Sequence, residues 1–385
     1  MATACTVAPI QDVESPQPAV DFLVPTPNAT STPATVPVAI RATDAQAVEA
    51  SPPPILAEPY TLRWRAGVGI PDGAHPRDLQ WTTPRPGWYL NWHFGTLLNA
   101  PPLDDQRTPG HPDYLDVTFS SPDDTETGMA YVPMVYDLTV ATDTLKSVVR
   151  SLPGRVWLIG NEPDVRWQGN LTPEAYAAGY HRIYHIIKDI DPTAQIAIGG
   201  ISQVTPLRLA YLDRVLQFYA ATYGEPMPVD VWNIHTFILQ EKRDEWGVDI
   251  PPGFEATHTG QLWTIEDHDS LEIIRTQIVT MRAWMRAQGE QDKPLWITEY
   301  GILMPESYGF PPAQVARFMT ATFDLFQELR DPDLGWAQDE HRLVQRWVWF
   351  SAGYDPYPTG NLFDDAGAPT LLMETYADYL AAPTP

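Results

Sequence analysis

Two short apolar runs in this chain each finish in a glutamate. Trp157-Leu158-Ile159-Gly160 leads into Asn161-Glu162-Pro163-Asp164, and Leu295-Trp296-Ile297-Thr298 leads into Glu299-Tyr300-Gly301. Two carboxyls facing each other across a cleft have a defined chemical use. One, kept protonated, gives its proton to a leaving oxygen, while the other, ionised, attacks an anomeric carbon. A single glutamate at the end of a strand is ordinarily a solvated loop residue. Two of them, each closing a run of the buried type, make a candidate catalytic pair.

The elements that must carry this pair are legible from residue 59 onward. Eight nearly continuous apolar runs predict strands at 65–70, 88–92, 131–136, 156–160, 195–199, 231–235, 295–299 and 344–351, as expected of parallel strands covered on both faces. Amphipathic helices are predicted between them. Thr172-Pro173-Glu174 supplies an N-cap and an N1 proline for a helix that stops at Asp191-Pro192, and Thr205-Pro206 opens another that Gly224 closes. Alternating strands and helices over this length predict an α/β fold, a (β/α)8 TIM barrel spanning 59–385. Strands four and seven lie on opposite sides of such a ring, with both glutamates at the C-terminal mouth where barrel catalysis sits. The rival, a doubly wound open sheet, would carry a Gly-rich turn, and the GVGIPDG segment fits GxGxxG poorly.

Residues 1–58 read differently. VAPIQDVESPQPAV, PTPNATSTPATVPVAI and SPPPILAEP are rich in Pro and Thr and too poor in large apolar groups to offset their ordering entropy, which predicts a low-complexity tail or linker. The only cysteine, Cys5, lies in this tail, so neither an intrachain disulfide nor a Cys-based metal site can form. Cys5 is a candidate lipoprotein attachment site or a chance surface thiol. The formal net charge of −25 disfavours nucleic acid and anionic membrane surfaces as partners but leaves a neutral glycan unopposed. No apolar stretch is long enough to insert in a membrane. No HExxH-type spacing or GxSxG elbow occurs, so neither a metal nor another cofactor is expected.

Taken together, WLIGNEPD and LWITEYG, supported by RAGVGIPDG, WYLNW, YVPMVYD, VWNIHTF and RWVWFSAGY, resemble the clan of (β/α)8 retaining glycoside hydrolases. These carry Asn-Glu on strand four and a glutamate on strand seven. Within the clan the motifs are similar to the glycosyl hydrolase catalytic core family, which includes endo-β-1,3-glucanases. The resemblance runs from about Trp64 to about Leu380. It implies Glu162 as acid/base, Glu299 as nucleophile, and Asn161 as a partner of the sugar 2-hydroxyl. It also implies a helper for the nucleophile at the end of strand six. Here that strand offers His235, while Phe237 has no donor, so His235 acts alone or Tyr300 takes over. Glu299 is then expected to be ionised, and Glu162 to be raised by burial beside a second carboxylate.

Sugar rings stack their C–H faces on aromatic side chains, and 14 tryptophans are many for this length. The clan places a sugar floor at the end of strand eight, which selects Trp349. Strand alternation puts Trp347, Trp349 and Ser351 on one face, with Val348 and Phe350 on the other. Trp88 and Trp92 around strand two, and Trp167 after the acid/base loop, are further candidate platforms. The long segment 238–268 after strand six, with His258 and His268, is read as a wall or lid of the cleft. The resulting expectation is a retaining hydrolase of β-glycosidic bonds, acting outside the cell or at its surface, as a monomer. The alternatives are a carbohydrate-binding or catalytically weak barrel, and an exo-acting glycosidase of the same clan on another sugar.

Overall fold

The computed structural model of the chain describes residues 56–71, 74–94, 96–97, 119–120, 124–354 and 356–382. The Pro/Thr-rich segment up to 55, Cys5 included, lies outside them. Each predicted strand has a counterpart. They are β1 (Ala66–Gly69), β2 (Trp88–Leu90), β3 in two pieces (Ala130–Tyr131 and Met134–Val135), β4 (Val156–Ile159), β5 (Gln195–Ile198), β6 (Trp232–His235), β7 (Leu295–Tyr300) and β8 (Arg346–Trp349).

All the pairings among these strands are parallel. Among the described residues one sheet runs β3 (first piece)–β2–β1–β8–β7–β6, and a second runs β3 (second piece)–β4–β5. The bridges Ala197–Val231 and Ile201–Ile234 join β5 to β6. The strands therefore curl into a barrel-like α/β ring.

Among the described residues six long helices pack outside the ring: α1 (Thr142–Ser151), α2 (Pro173–Ile190), α3 (Pro206–Tyr223), α4 (Leu271–Ala287), α5 (Pro312–Glu328) and α6 (Leu371–Ala381). Their starts are chemically specified. The Thr172 hydroxyl accepts from Ala175 N–H, and Thr205 from Arg208 N–H, each ahead of an N1 proline. Gly224 ends α3 in the left-handed conformation, at φ 77°.

The ring interior is a dry plug. Trp88, Leu90, Met134, Leu158, Trp296 and Val348 belong to one buried cluster there. At its N-terminal end the Arg346 guanidinium lies 4.3 Å from the Trp88 ring, 4.8 Å from Trp296 and 4.7 Å from Trp64. Its Nε donates to the Trp64 carbonyl at 3.1 Å. That end is closed, so a site has to be built at the other one.

The segment 238–268 is fastened down along one side. The fully buried Arg208 of α3 donates to Glu241 (Nε to Oε1, 2.9 Å) and to Asp164 of the β4 loop (Nη1 to Oδ2, 2.6 Å). It also donates to the carbonyl of Asp249 at 2.8 Å. A buried cation between two buried carboxylates holds only while all partners are hydrogen-bonded, so the segment is held against the loop that follows β4.

Candidate active site

Glu162 and Glu299 emerge at the same end of the ring, and the backbone is shaped to present them. Glu162 sits in the left-handed region at φ 36°, uncommon for a residue with a side chain. Its N–H donates to the Gly200 carbonyl at 3.0 Å, and its own carbonyl accepts from Val165 and Gly169. Gly200 is needed as glycine, because a Cβ there would lie 2.5 Å from the His235 ring. The imidazole fills that space.

His235, fully buried at the end of β6, stands between the two carboxyls. Its Nδ1 is 2.8 Å from Glu162 Oε1, and its Nε2 is 3.5 Å from Glu299 Oε1. Trp92 Nε1 donates to Glu299 Oε1 at 2.7 Å, and the Asn161 side chain also hydrogen-bonds the Glu299 carboxyl. Ligating atoms of Glu162, His235 and Glu299 all fall within 4.8 Å of one another. Both glutamates are buried but reach the surface, with 7% and 5% of their area exposed.

The electrostatics follow from this crowding. Burial pushes Glu299 up to about 7; His235, Trp92 and Asn161 pull it down, and Glu162 adds to the rise. Burial lowers His235, but the charge of Glu299 and the hydrogen bond and charge of Glu162 outweigh it, so its net shift is upward. The sequence reading places the raised carboxyl at 162 and an ionised one at 299; the structure raises 299. The reason is first the burial of Glu299, which disfavours its charge, and then the nearby Glu162 carboxylate, since two like charges this close resist joint ionisation.

These three groups have the donor types and spacing of a divalent-cation site, and among the described residues no other such cluster is found. His268 is not part of it. Its Nδ1 pairs with the Ile238 carbonyl at 2.9 Å, its Nε2 accepts from Leu303 N–H at 3.0 Å, and burial lowers it to about 4. His258 is exposed.

Of the other residues singled out by sequence, three face elsewhere. Tyr300 is fully buried on the helix side, edge-on to Phe326 of α5 at 5.0 Å, with Thr322 donating to its hydroxyl at 3.3 Å. It has no contact with Glu299, because consecutive strand residues point to opposite faces. Trp349 pairs in register with Tyr300 and shares its face. It is fully buried, edge-on to Tyr300 at 5.4 Å, and donates to the Gly360 carbonyl at 2.8 Å. Trp88 lies at the closed end, its Nε1 bonded to the Arg65 carbonyl at 3.0 Å.

Trp349 is therefore core, and Trp349→Ala is expected to destabilise the fold by about 3–5 kcal/mol. The test is a urea midpoint measured beside KM for a glycan. The midpoint falls and KM holds; a raised KM with unchanged stability restores Trp349 to the cleft.

Phe350, on the opposite face, takes the place expected of Trp349. It contacts Trp92 at 5.6 Å, Phe237 at 5.9 Å and Tyr354 at 5.2 Å between ring centroids. Burial raises the Tyr354 hydroxyl, and the charges of Glu299 and Glu162 raise it further. Trp167 is half exposed on the rim, where Arg166 lies 4.6 Å from its ring and bonds Asp244 and Asp249 of the wall.

The family model described as "Glycosyl hydrolase catalytic core" matches residues 77–249 and 275–376, a span that holds Trp92, Asn161, Glu162, His235 and Glu299. No curated protein matches the chain. Among solved structures it is similar to a GH128 (subgroup II) endo-β-1,3-glucanase from Pseudomonas viridiflava, at 20% identity and TM-score 0.52, over 83% of this chain and 98% of that one. A second of subgroup II, from Sorangium cellulosum, is 18% identical with a TM-score of 0.50, over 83% and 98%. A curdlan-specific exo-β-1,3-glucanase of subgroup III from Blastomyces gilchristii is 16% identical with a TM-score of 0.50, over 82% and 98%. At such identities the likeness speaks to the fold.

Proposed function

The chain belongs to the glycosyl hydrolase catalytic core family, and from that premise we propose that it is a retaining glycosidase on a (β/α)8 barrel, cleaving β-1,3-glucan. The observation that carries the mechanism is the closeness of the two carboxyls. Oxygens of Glu162 and Glu299 lie within 4.8 Å. A double displacement works with carboxyls about 5–5.5 Å apart, whereas an inverting enzyme keeps about 6.5–9.5 Å to seat a water. The β-1,3-glucan assignment is supported by the activities given for the similar structures.

Glu162 gives its proton to the glycosidic oxygen while Glu299 attacks the anomeric carbon. Trp92, Asn161 and His235 surround the Glu299 carboxyl with donors, which favours its charge once positive character develops on the sugar beside it. In the second half Glu162 takes a proton from water, which opens the glycosyl-enzyme with net retention. Phe350, Tyr354 and Trp92 give this pocket an aromatic wall on which a pyranose can lie. A polymeric substrate does not cross a membrane, so we place the enzyme outside the cell or on its surface.

The test is proton NMR of the first-formed product from a soluble β-1,3-glucan, run against β-1,4- and mixed-linkage glucans, mannan and xylan. The β-anomer appears first, and only with the β-1,3 linkage at full rate. An α-anomer as first product removes the double displacement; equal or greater turnover of another polymer removes the substrate assignment. Activity withstands a chelator. Its loss to chelation and return with a divalent cation would favour the metal reading of the same cluster.

A further inference from the structure

Trp92 does more than line a cleft. It stands two residues beyond β2, and the nucleophile stands on β7, with β1 and β8 between them in the sheet. The indole crosses both. Over β1 it lies on Gly69, where a Cβ would be 2.7 Å from Trp92 Cη2. Beside β8 it meets Phe350 edge-on, at 74° and 5.6 Å. At its far side Nε1 reaches Glu299 Oε1 at 2.7 Å. The backbone of Trp92 is left-handed, φ 60°, a conformation a bulky residue rarely adopts.

Three independent features thus serve one contact: a strained backbone, a glycine on another strand, and a hydrogen bond across the mouth. We propose, resting on the retaining reading above, that Trp92 is a positioning residue for the nucleophile: its indole N–H fixes the orientation of the Glu299 carboxylate and favours its ionised form, and Gly69 is the clearance that lets it do so. The chemistry suits the task. An indole nitrogen is a donor only, so the oxygen it meets must be an acceptor, and the proton of a neutral Glu299 is kept off Oε1. The donor is also uncharged, so it stabilises the carboxylate without the attenuation of nucleophilicity that a guanidinium ion pair brings. His235 Nε2 approaches the same oxygen only to 3.5 Å, so the indole N–H is the close donor to it.

The experiment uses Trp92→Phe, which keeps a ring and removes the N–H, and Gly69→Ala, which keeps the indole and displaces it. Circular dichroism checks the fold of both. In each variant the acidic limb of the kcat/KM profile moves up by about one unit, since a donor to the charged form holds a carboxyl down. Activity near pH 5 falls roughly tenfold and recovers as pH rises, while KM changes little. A second readout needs no substrate. Carbon-13 NMR of carboxyl-labelled protein, with Glu299→Gln to assign the signal, follows the titration of Glu299, which shifts up by about one unit in both variants. A raised KM with an unmoved acidic limb and unmoved titration overturns the proposal and leaves Trp92 as a stacking surface. A wild-type protein that hydrolyses no glycan, yet whose Glu299 titration moves in both variants, overturns the hydrolase reading and upholds the positioning role.

Discussion

Glu299→Ala lowers turnover by about 10⁵-fold, the scale on which removal of a covalent nucleophile is felt, equivalent to roughly 7 kcal/mol in the barrier. The loss is this large because, among the described residues, only Glu162 and His235 join Glu299 in its cluster of titratable groups, and neither can take the role. The imidazole of His235 is packed behind the carboxyls, with Nδ1 on Glu162 and no exposed area. Removing the side chain leaves a small anion-sized space lined by the Trp92 N–H, Asn161 and His235. Azide placed there attacks an activated β-glycoside directly and yields the α-glycosyl azide, of inverted configuration. Recovery as the β-azide, or residual hydrolysis within tenfold of the native rate, would move the nucleophile to another residue.

Glu162→Ala behaves differently, and the contrast identifies the acid. On a polysaccharide, whose leaving sugar alkoxide must be protonated, turnover falls about 10²–10⁴-fold. On an aryl glycoside with a good leaving group the first step proceeds without the proton, and the glycosyl-enzyme accumulates as a burst. Azide then accelerates the second step and gives the β-azide, of retained configuration. The alkaline limb of the pH profile disappears with the acid that produces it. A variant equally slow on both substrate types, with the alkaline limb intact, would show that Glu162 is structural.

Much of this site is written in short segments. The strand runs, the caps at Thr172 and Thr205, and two glutamates at strand ends all depend on near neighbours in the chain. Alternation along β8 correctly groups Trp347 with Trp349 and Val348 with Phe350, but a period of two does not say which face is inside. Glu299 supplies the missing anchor: if it points into the mouth, Tyr300 points away, and Trp349, in register with Tyr300, does too. Phe350 is then the inward residue, and Tyr300 is excluded as a partner of the nucleophile. The reach of Trp92 over two strands is a property of ring closure, and no local pattern encodes it. Gly69 was its faint trace, as Gly200 was that of the buried His235, each kept empty for a ring from another strand. Protonation was least legible, because the pair and His235 titrate together.

The third strand is broken at Val132-Pro133, and among the described residues the ring consists of two sheets rather than one continuous ladder. Glu162 belongs to the smaller, which holds β4, and Glu299, His235 and Trp92 to the larger. One join is the proline break; the other is the pair of bridges between β5 and β6. The gap between Glu162 and Glu299 therefore spans two sheets, which meet through those bridges and through backbone bonds such as Met134 N–H to the His93 carbonyl at 2.8 Å. His235 reaches from the larger sheet to Glu162 on the smaller, so the side chain that couples the protons of the pair is also the clasp that gauges how far apart its carboxyls stand.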